Sequence, residues 1–461
     1  MRFSAALLLG GVLGITGISS AGEVSPPAGN ELDALRGRVE ALEKQVNEKN
    51  TGHSTVTLPG SRGLSISGDL RLRYEFRRIK GYANATDLDA SPDLVYERAR
   101  LKFDVDVAEG IRAVVQLRDS RQWGEETTPT TDMEGLDLHQ GYMAFEWKPA
   151  AGPSYALTAG RQEMRFGSTR MVALNSWNNT GQTFDGVRGD ARGGRMEGTC
   201  FATIVKEGGD HADDDRVFGG AFLTGKIGAA GTAEGYLYHR QFTDNLCTNE
   251  SGLTGDLVDT TLGGRWTGKG RGWDAEVEAA HQFGTYAHDD VSAWMAVVGG
   301  GWKFENARWK PRIGLEYDYA SGDKDPADGK HQGWDDLFGC RHDVLGYADL
   351  TGRSNLHDIL LQVTAAPRAD TGLELGIHRF LLAQEKDAWR TSSLGVMRRD
   401  RTGASGRDLG WEADTVVRWK SKVVEIEGGA AWFLPGDYVE KTGAGTDWAA
   451  AWYYLQMTGK F

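Results

Sequence analysis

From Leu64 to the last residue, apolar side chains recur at every second position. Leu64, Ile66, Leu70, Leu72, Tyr74 and Phe76 alternate with Ser65, Ser67, Asp69, Arg71, Arg73, Glu75 and Arg77. A period of two sends one set to each face of a sheet. The polar set is too charged for the core of a soluble protein. It suits a water-filled lumen, with the apolar set turned to lipid. The pattern returns at Leu101–Val107, Trp273–Ala279, Ile313–Tyr319, Trp411–Val417 and Val424–Ala430. No apolar run of about 18 residues lies beyond the N-terminus, so spanning helices are excluded there. Strand spans are not, because alternation dilutes their hydropathy. The 63 glycines, 15 tryptophans and 14 tyrosines, against 11 prolines, suit turns and interfacial girdles.

The pattern predicts an all-β chain: a transmembrane antiparallel β-barrel of about 18 strands, running from 63–78 to 447–461. The connections sort by length. Links such as 109–110, 193–194 and 421–422 are short. Links at 79–93, 123–135, 164–181, 243–256, 321–353, 384–407 and 434–446 are long. Short turns at one end and long loops at the other are a barrel signature, and they put both termini in the periplasm of a diderm bacterium. A β-sandwich has no reason to sort its loops this way. Trp147, Trp266, Trp273, Trp302, Trp309, Trp411, Trp419 and Trp432 fall near strand ends, as a girdle requires.

Residues 1–21 read as a signal peptide. Arg2 gives the charged end, Ala5–Ile18 the apolar stretch and Ser19-Ser20-Ala21 the cleavage site. Residues 22–61 form a periplasmic helix and linker. Leu32, Leu35, Val39, Leu42 and Val46 make a short heptad stripe. It serves either as a homo-oligomer contact or as one amphipathic helix beside the barrel. Residues 62–461 are the barrel. Its last strand sets Tyr453, Leu455, Met457 and Phe461 on one face and ends on an aromatic ring. This resembles the C-terminal signal read by the barrel-assembly machinery.

Four segments resemble the alginate-export family of outer-membrane barrels. Leu157–Arg188 holds Gly160-Arg161-Gln162, Trp177-Asn178 and Asp185-Gly186. Trp334–Asn355 holds Asp336-Leu337-Phe338, His342 and Gly346-Tyr347-Ala348-Asp349. His378–Arg390 and Leu409–Lys420 follow, then Phe433–Tyr438 and the last strand. The heptad stripe has no counterpart in that family's monomeric barrel. The resemblance implies a porin-like channel for an anionic or polar polysaccharide, oligosaccharide or small solute. It also implies an arginine-lined constriction.

Alternation assigns the lumen. Arg71, Arg73, Arg77, Arg98, Arg100, Lys102, Arg112 and Arg118 come from early strands. The matched segment adds Arg188 and Arg161, although Arg161 needs a bulge near Gly160 to turn inward. Glu276, Glu278, Glu316, Asp318, Glu412, Asp414, Glu425 and Glu427 come from late strands. Two readings stand. An arginine ladder offers paired donors to carboxylates. Alternatively, the charges pair across the lumen and hold its shape.

The formal net charge of −13 argues against nucleic acid as a partner. No P-loop, CxxC pair, HExxH or GxSxG occurs, and no cofactor or metal is expected. The acids at 213–215 and those of the 321–347 loop leave calcium open. So do Cys200, Cys247 and Cys340 for a Cys247–Cys340 bond, since an odd count cannot all pair. Against the export channel stand a general or substrate-specific uptake porin and a non-transport barrel acting as enzyme or scaffold.

Overall fold

A computed structural model describes residues 55–56, 62–78, 93–124, 134–206, 215–443 (other than 326, 341 and 343) and 450–461. The expected signal segment, the heptad stripe and His211–Asp214 lie outside the described residues. The chain divides into two compact units, Met1–Val56 and Thr57–Phe461. Of the first, only the strand Thr55–Val56 is described. Everything below concerns the second.

Its frame is a closed antiparallel barrel of 18 strands. In chain order these are β1 (Gly63–Arg78), β2 (Asp93–Ala108), β3 (Ile111–Gln122), β4 (Glu134–Trp147), β5 (Ser154–Gln162) and β6 (Phe184–Gly193). Next come β7 (Met196–Lys206), β8 (Arg216–Lys226), β9 (Thr232–Thr248), β10 (Thr254–Lys269), β11 (Trp273–Tyr286) and β12 (Asp289–Lys303). The last six are β13 (Arg312–Ala320), β14 (Leu356–Arg368), β15 (Thr371–Leu382), β16 (Asp408–Lys420), β17 (Val424–Pro435) and β18 (Ala450–Lys460). Each strand pairs with the next, and β18 pairs with β1 from Asp69↔Lys460 to Arg78↔Ala451. Closure gives every strand two neighbours, which a backbone in hydrocarbon requires.

The faces follow the alternation. On β1, Arg71, Arg73 and Glu75 are buried inside, while Leu70 and Tyr74 are exposed outside. Trp147, Trp273, Trp302, Trp309, Trp411, Trp419 and Trp432 are all exposed. The final residue is stitched to β1: Gly68 N donates to Phe461 O at 2.9 Å, and Phe461 N to Gly68 O at 3.1 Å. A Cβ on Gly68 would sit 2.5 Å from the Phe461 ring, so glycine makes room for the terminal side chain.

Two details differ from the sequence reading, and one short link is resolved. The expected long loop at 243–256 is mostly strand, because β9 and β10 run on past a register shift between Phe242 and Cys247. The link between β11 and β12 is a tight turn, with Ala287 and His288 both at positive φ (45° and 83°). The bulge expected near Gly160 lies one strand earlier. The β3–β4 register slips between Gln116↔Gln140 and Leu117↔Leu138, which leaves His139 extra. His139 and Gln140 are consequently both buried. No disulfide joins Cys200, Cys247 and Cys340.

Two long connections fold inward. The first, residues 163–183, joins β5 to β6. The second, residues 321–355, joins β13 to β14. They join each other through a parallel bridge, Val172↔Phe338. Beside it, Phe338 N donates to Met171 O at 3.0 Å, Ala173 N to Phe338 O at 2.9 Å and Cys340 N to Thr169 O at 2.8 Å. One hydrophobic cluster holds both loops against inward Phe184, Phe201, Phe218, Phe222, Tyr236 and Tyr238 of β6–β9.

Candidate functional site

The lumen is built as walls of different chemistry around the two inserted loops. On β1–β4 the inward side chains are mainly basic. Arg71 Nη1 donates to Ser176 O at 2.6 Å, and its Nη2 to Trp177 O at 2.8 Å. Arg73 Nη1 donates to Trp177 O at 2.5 Å. Arg98 Nη1 reaches Ser176 O at 3.2 Å, while its Nη2 pairs with Asp69 at 2.9 Å. Arg118 donates to Thr180 O and pairs with Glu134. Arg100 stands 3.7 Å from Glu163. Toward the short-turn end, Lys102 and Arg112 share Asp104 at 3.5 and 3.6 Å. Arg188 lies on the inward face of β6 with Asp190 at 3.0 Å.

Arg161 goes the other way. It pairs with outward Gly141 across β4 and with outward Asp185 across β6. Its guanidinium binds the Asp185 carboxylate at 2.8 Å through both Nε and Nη2. The extra residue falls at His139, so strict alternation from exposed Leu157 holds along β5. The inward assignment of Arg161 is corrected accordingly.

The acidic set splits in two. Glu276 and Glu278 of β11 and Glu316 and Asp318 of β13 lie across the ring from β2–β4. Arg170 of the first inserted loop reaches into them. It pairs with Glu276, with Glu278 at 2.9 Å and with Glu316 at 3.2 Å. Burial pulls its pKa down, but Asp318, Glu316, Glu276 and Glu278 outweigh that and hold it above the usual arginine value. Ser168 Oγ adds a bond to Glu278 at 2.7 Å.

Glu412, Asp414, Glu425 and Glu427 instead sit on β16 and β17, close to β1 rather than opposite it. Glu412 accepts from Ala348 N of the second loop at 2.8 Å. Asp414 lies 3.5 Å from His378 Nε2, whose Nδ1 binds Asp358 at 2.8 Å. Glu427 takes Arg418 at 2.5 Å and Tyr454 OH at 2.7 Å, and Glu425 pairs with Lys420 at 2.9 Å. His378 thus faces carboxylates on both ring nitrogens.

Where the loops meet, Trp177 is covered by the Arg73 guanidinium at 4.0 Å from the ring centre and by the His342 ring at 3.8 Å. Trp452 and Tyr454 approach edge-on at 5.5 and 5.0 Å. A cavity of about 280 Å³ remains beside the plug, lined by Arg170, Arg312, Glu316, Gln362 and Leu360 among others. At the long-loop end, Glu250, Asp323 and Asp328 bring carboxylate oxygens within 4.8 Å of one another. Burial, then a hydrogen bond that the protonated Asp323 donates to the Glu250 carboxylate, pushes the Asp323 pKa up to about 8.

The sequence reading missed the aromatic wall of β6–β9 and the role of Arg170. The wall carried a signal, since Phe218, Phe222, Tyr236 and Tyr238 sit at even spacings in the inward phase. Arg170 carried none, because it lies in a connection without periodicity.

A closed barrel with an apolar outside, aromatic strand ends and a charged, loop-narrowed inside is an outer-membrane channel. The alginate-export family profile matches residues 62–450, and the chain belongs to that family. No curated protein matches the chain. Solved structures agree on the fold. OccAB4 of Acinetobacter baumannii is 10% identical, with a TM-score of 0.54 over 87% of this chain and 99% of that one. OccK11 (OpdR) of Pseudomonas aeruginosa is 12% identical, with a TM-score of 0.55 over 86% and 96%. A structure of P. aeruginosa OpdK with vanillate is 12% identical, with a TM-score of 0.53 over 86% and 98%.

Proposed function

We propose that this channel passes carboxylate-bearing saccharides, of the uronate-polymer type, by diffusion along the β1–β4 arginines. The observation that carries this reading is the ladder itself. Arg71, Arg73, Arg98 and Arg118 bring their guanidiniums to one stretch of acceptors, residues 176–180 of the first inserted loop. Guanidinium is the side chain best matched to carboxylate geometry. The short turns and both termini would face the periplasm. The Tyr453–Phe461 strand would be the segment read by the assembly machinery, and the Leu32–Val46 stripe a contact between copies.

The cavity beside Arg170 favours a second reading. Its 280 Å³ suits a single small carboxylate better than a polymer. That is the uptake-porin alternative, and a catalytic role is set aside.

The test is transport into liposomes. Oligouronate flux that falls severalfold in Arg71→Ala/Arg98→Ala supports the polymer path. Flux of small carboxylates alone supports the second reading. Equal flux of neutral and acidic sugars contradicts both.

A further inference from the structure

We propose that residues 174–182 of the first inserted loop are a built-in competitor for the arginine wall, displaced when a polycarboxylate solute arrives. The inference deepens the function proposed above and rests on it.

Main-chain carbonyls of Ser176, Trp177 and Thr180 accept from Arg71, Arg73, Arg98 and Arg118, and Asn179 O accepts from Ser120 Oγ at 3.0 Å. Four of the five residues 176–180 therefore lay a row of acceptors along the ladder, where a linear polyanion would lie. These acceptors are neutral. A carboxylate in the same place makes charge-assisted bonds about twice as strong. A solute that binds the arginines only once they are vacated draws the population toward the displaced state.

The two halves of the loop are held differently, the 174–182 half by hydrogen bonds to the arginines and by Trp177 against Arg73, His342, Trp452 and Tyr454. Residues 164–173 are fixed by the Val172↔Phe338 bridge, the aromatic cluster and Arg170. The 174–182 stretch holds Asn175 and Gly181 at left-handed φ of 46° and 68°. The left-handed φ of 68° at Gly181 is one that glycine adopts without strain. Ser176 is exposed to the lumen and gives an incoming acceptor its first access to Arg71 and Arg98.

Displacement strips Trp177 of its Arg73 and His342 neighbours, so its emission reports the event. The difference between the native chain and Trp177→Phe, refolded in bilayers, is recorded against linear oligouronate and a neutral oligosaccharide of equal length. A saturating red shift with oligouronate alone is expected. Equal response to both sugars, or no response, overturns the competition. Removal of 174–180 should raise resting conductance about tenfold, the change produced by a bias of about 1.4 kcal/mol on a mostly closed population. Unchanged conductance overturns it as well. Reversal potential of the shortened pore separates the two ideas. Anion preference there without a Trp177 shift sinks the competitor and leaves the arginine path. Cation preference sinks both.

Discussion

The two ends of one inserted loop meet opposite walls of the lumen in opposite ways. On the β1–β4 side, arginines that already pair with Glu75, Asp69 and Glu134 of their own wall are met by several neutral loop carbonyls, those of Ser176, Trp177 and Thr180. On the β11–β13 side, Glu276, Glu278 and Glu316 all meet one loop cation, Arg170, and Glu276 also holds Arg265 of the wall at 2.8 Å. The first contact is distributed, and loss of one arginine leaves the others. The second is concentrated, and loss of Arg170 removes the one guanidinium common to all three carboxylates. A dispersed contact of modest bonds suits a surface that lets go. A concentrated ionic one suits an anchor.

Replacing the anchor should have the largest effect. Arg170→Gln removes the guanidinium shared by Glu276, Glu278 and Glu316 while Glu276 keeps Arg265, a loss of up to about 3–5 kcal/mol where one partner of a buried pair is removed. Continuously open conductance and protease cleavage within 163–183 are the expected signs. A quiet, intact variant would break the comparison. On the dispersed side, Arg71→Ala should cost about 1–3 kcal/mol of loop docking. Conductance should rise, anion preference should fall, and the loop should resist protease better than in Arg170→Gln. Equal damage in both variants would show that the two contacts do not differ in kind.

The second inserted loop offers a pH test of its rim. The Asp323 carboxyl is raised to about 8 in the folded state by burial and by Glu250. Its stabilising effect is present in full below the unfolded carboxyl value. It is lost progressively as pH rises toward and through 8. Hydrogen exchange of 321–330 should therefore quicken between pH 5 and 8.5, and Asp323→Asn should flatten that dependence. The smallest effect is expected at Arg161→Ala. Its pair with Asp185 is on the outside and about a third exposed, so the cost is below about 0.5 kcal/mol and selectivity is unchanged. A selectivity change there would restore Arg161 to the lumen.

The frame of the molecule was readable because a half-buried strand repeats every two residues. Arg71, Arg73, Glu276 and Glu316 declared their face by that phase alone. The phase fails where a residue is inserted, and His139 shows how. A bulge shifts its own strand, and nothing in the sequence says which of two neighbouring strands carries it. Loop limits were readable only where polarity marked them, so the extension of β9 and β10 past Phe242 was hidden by Asn245, Asn249 and Glu250. Contacts between the inserted loops were beyond reach. Val172 and Phe338 meet across 166 positions of chain with no shared period, and Trp177 finds His342 only because both loops turn inward.

The most direct test is the reversal potential of the refolded channel in a planar bilayer under a salt gradient, for the native chain and for Arg71→Ala/Arg98→Ala/Arg118→Ala. The account predicts anion preference in the native chain and its loss in the variant. Cation preference in the native chain, or a preference indifferent to the three arginines, would contradict it.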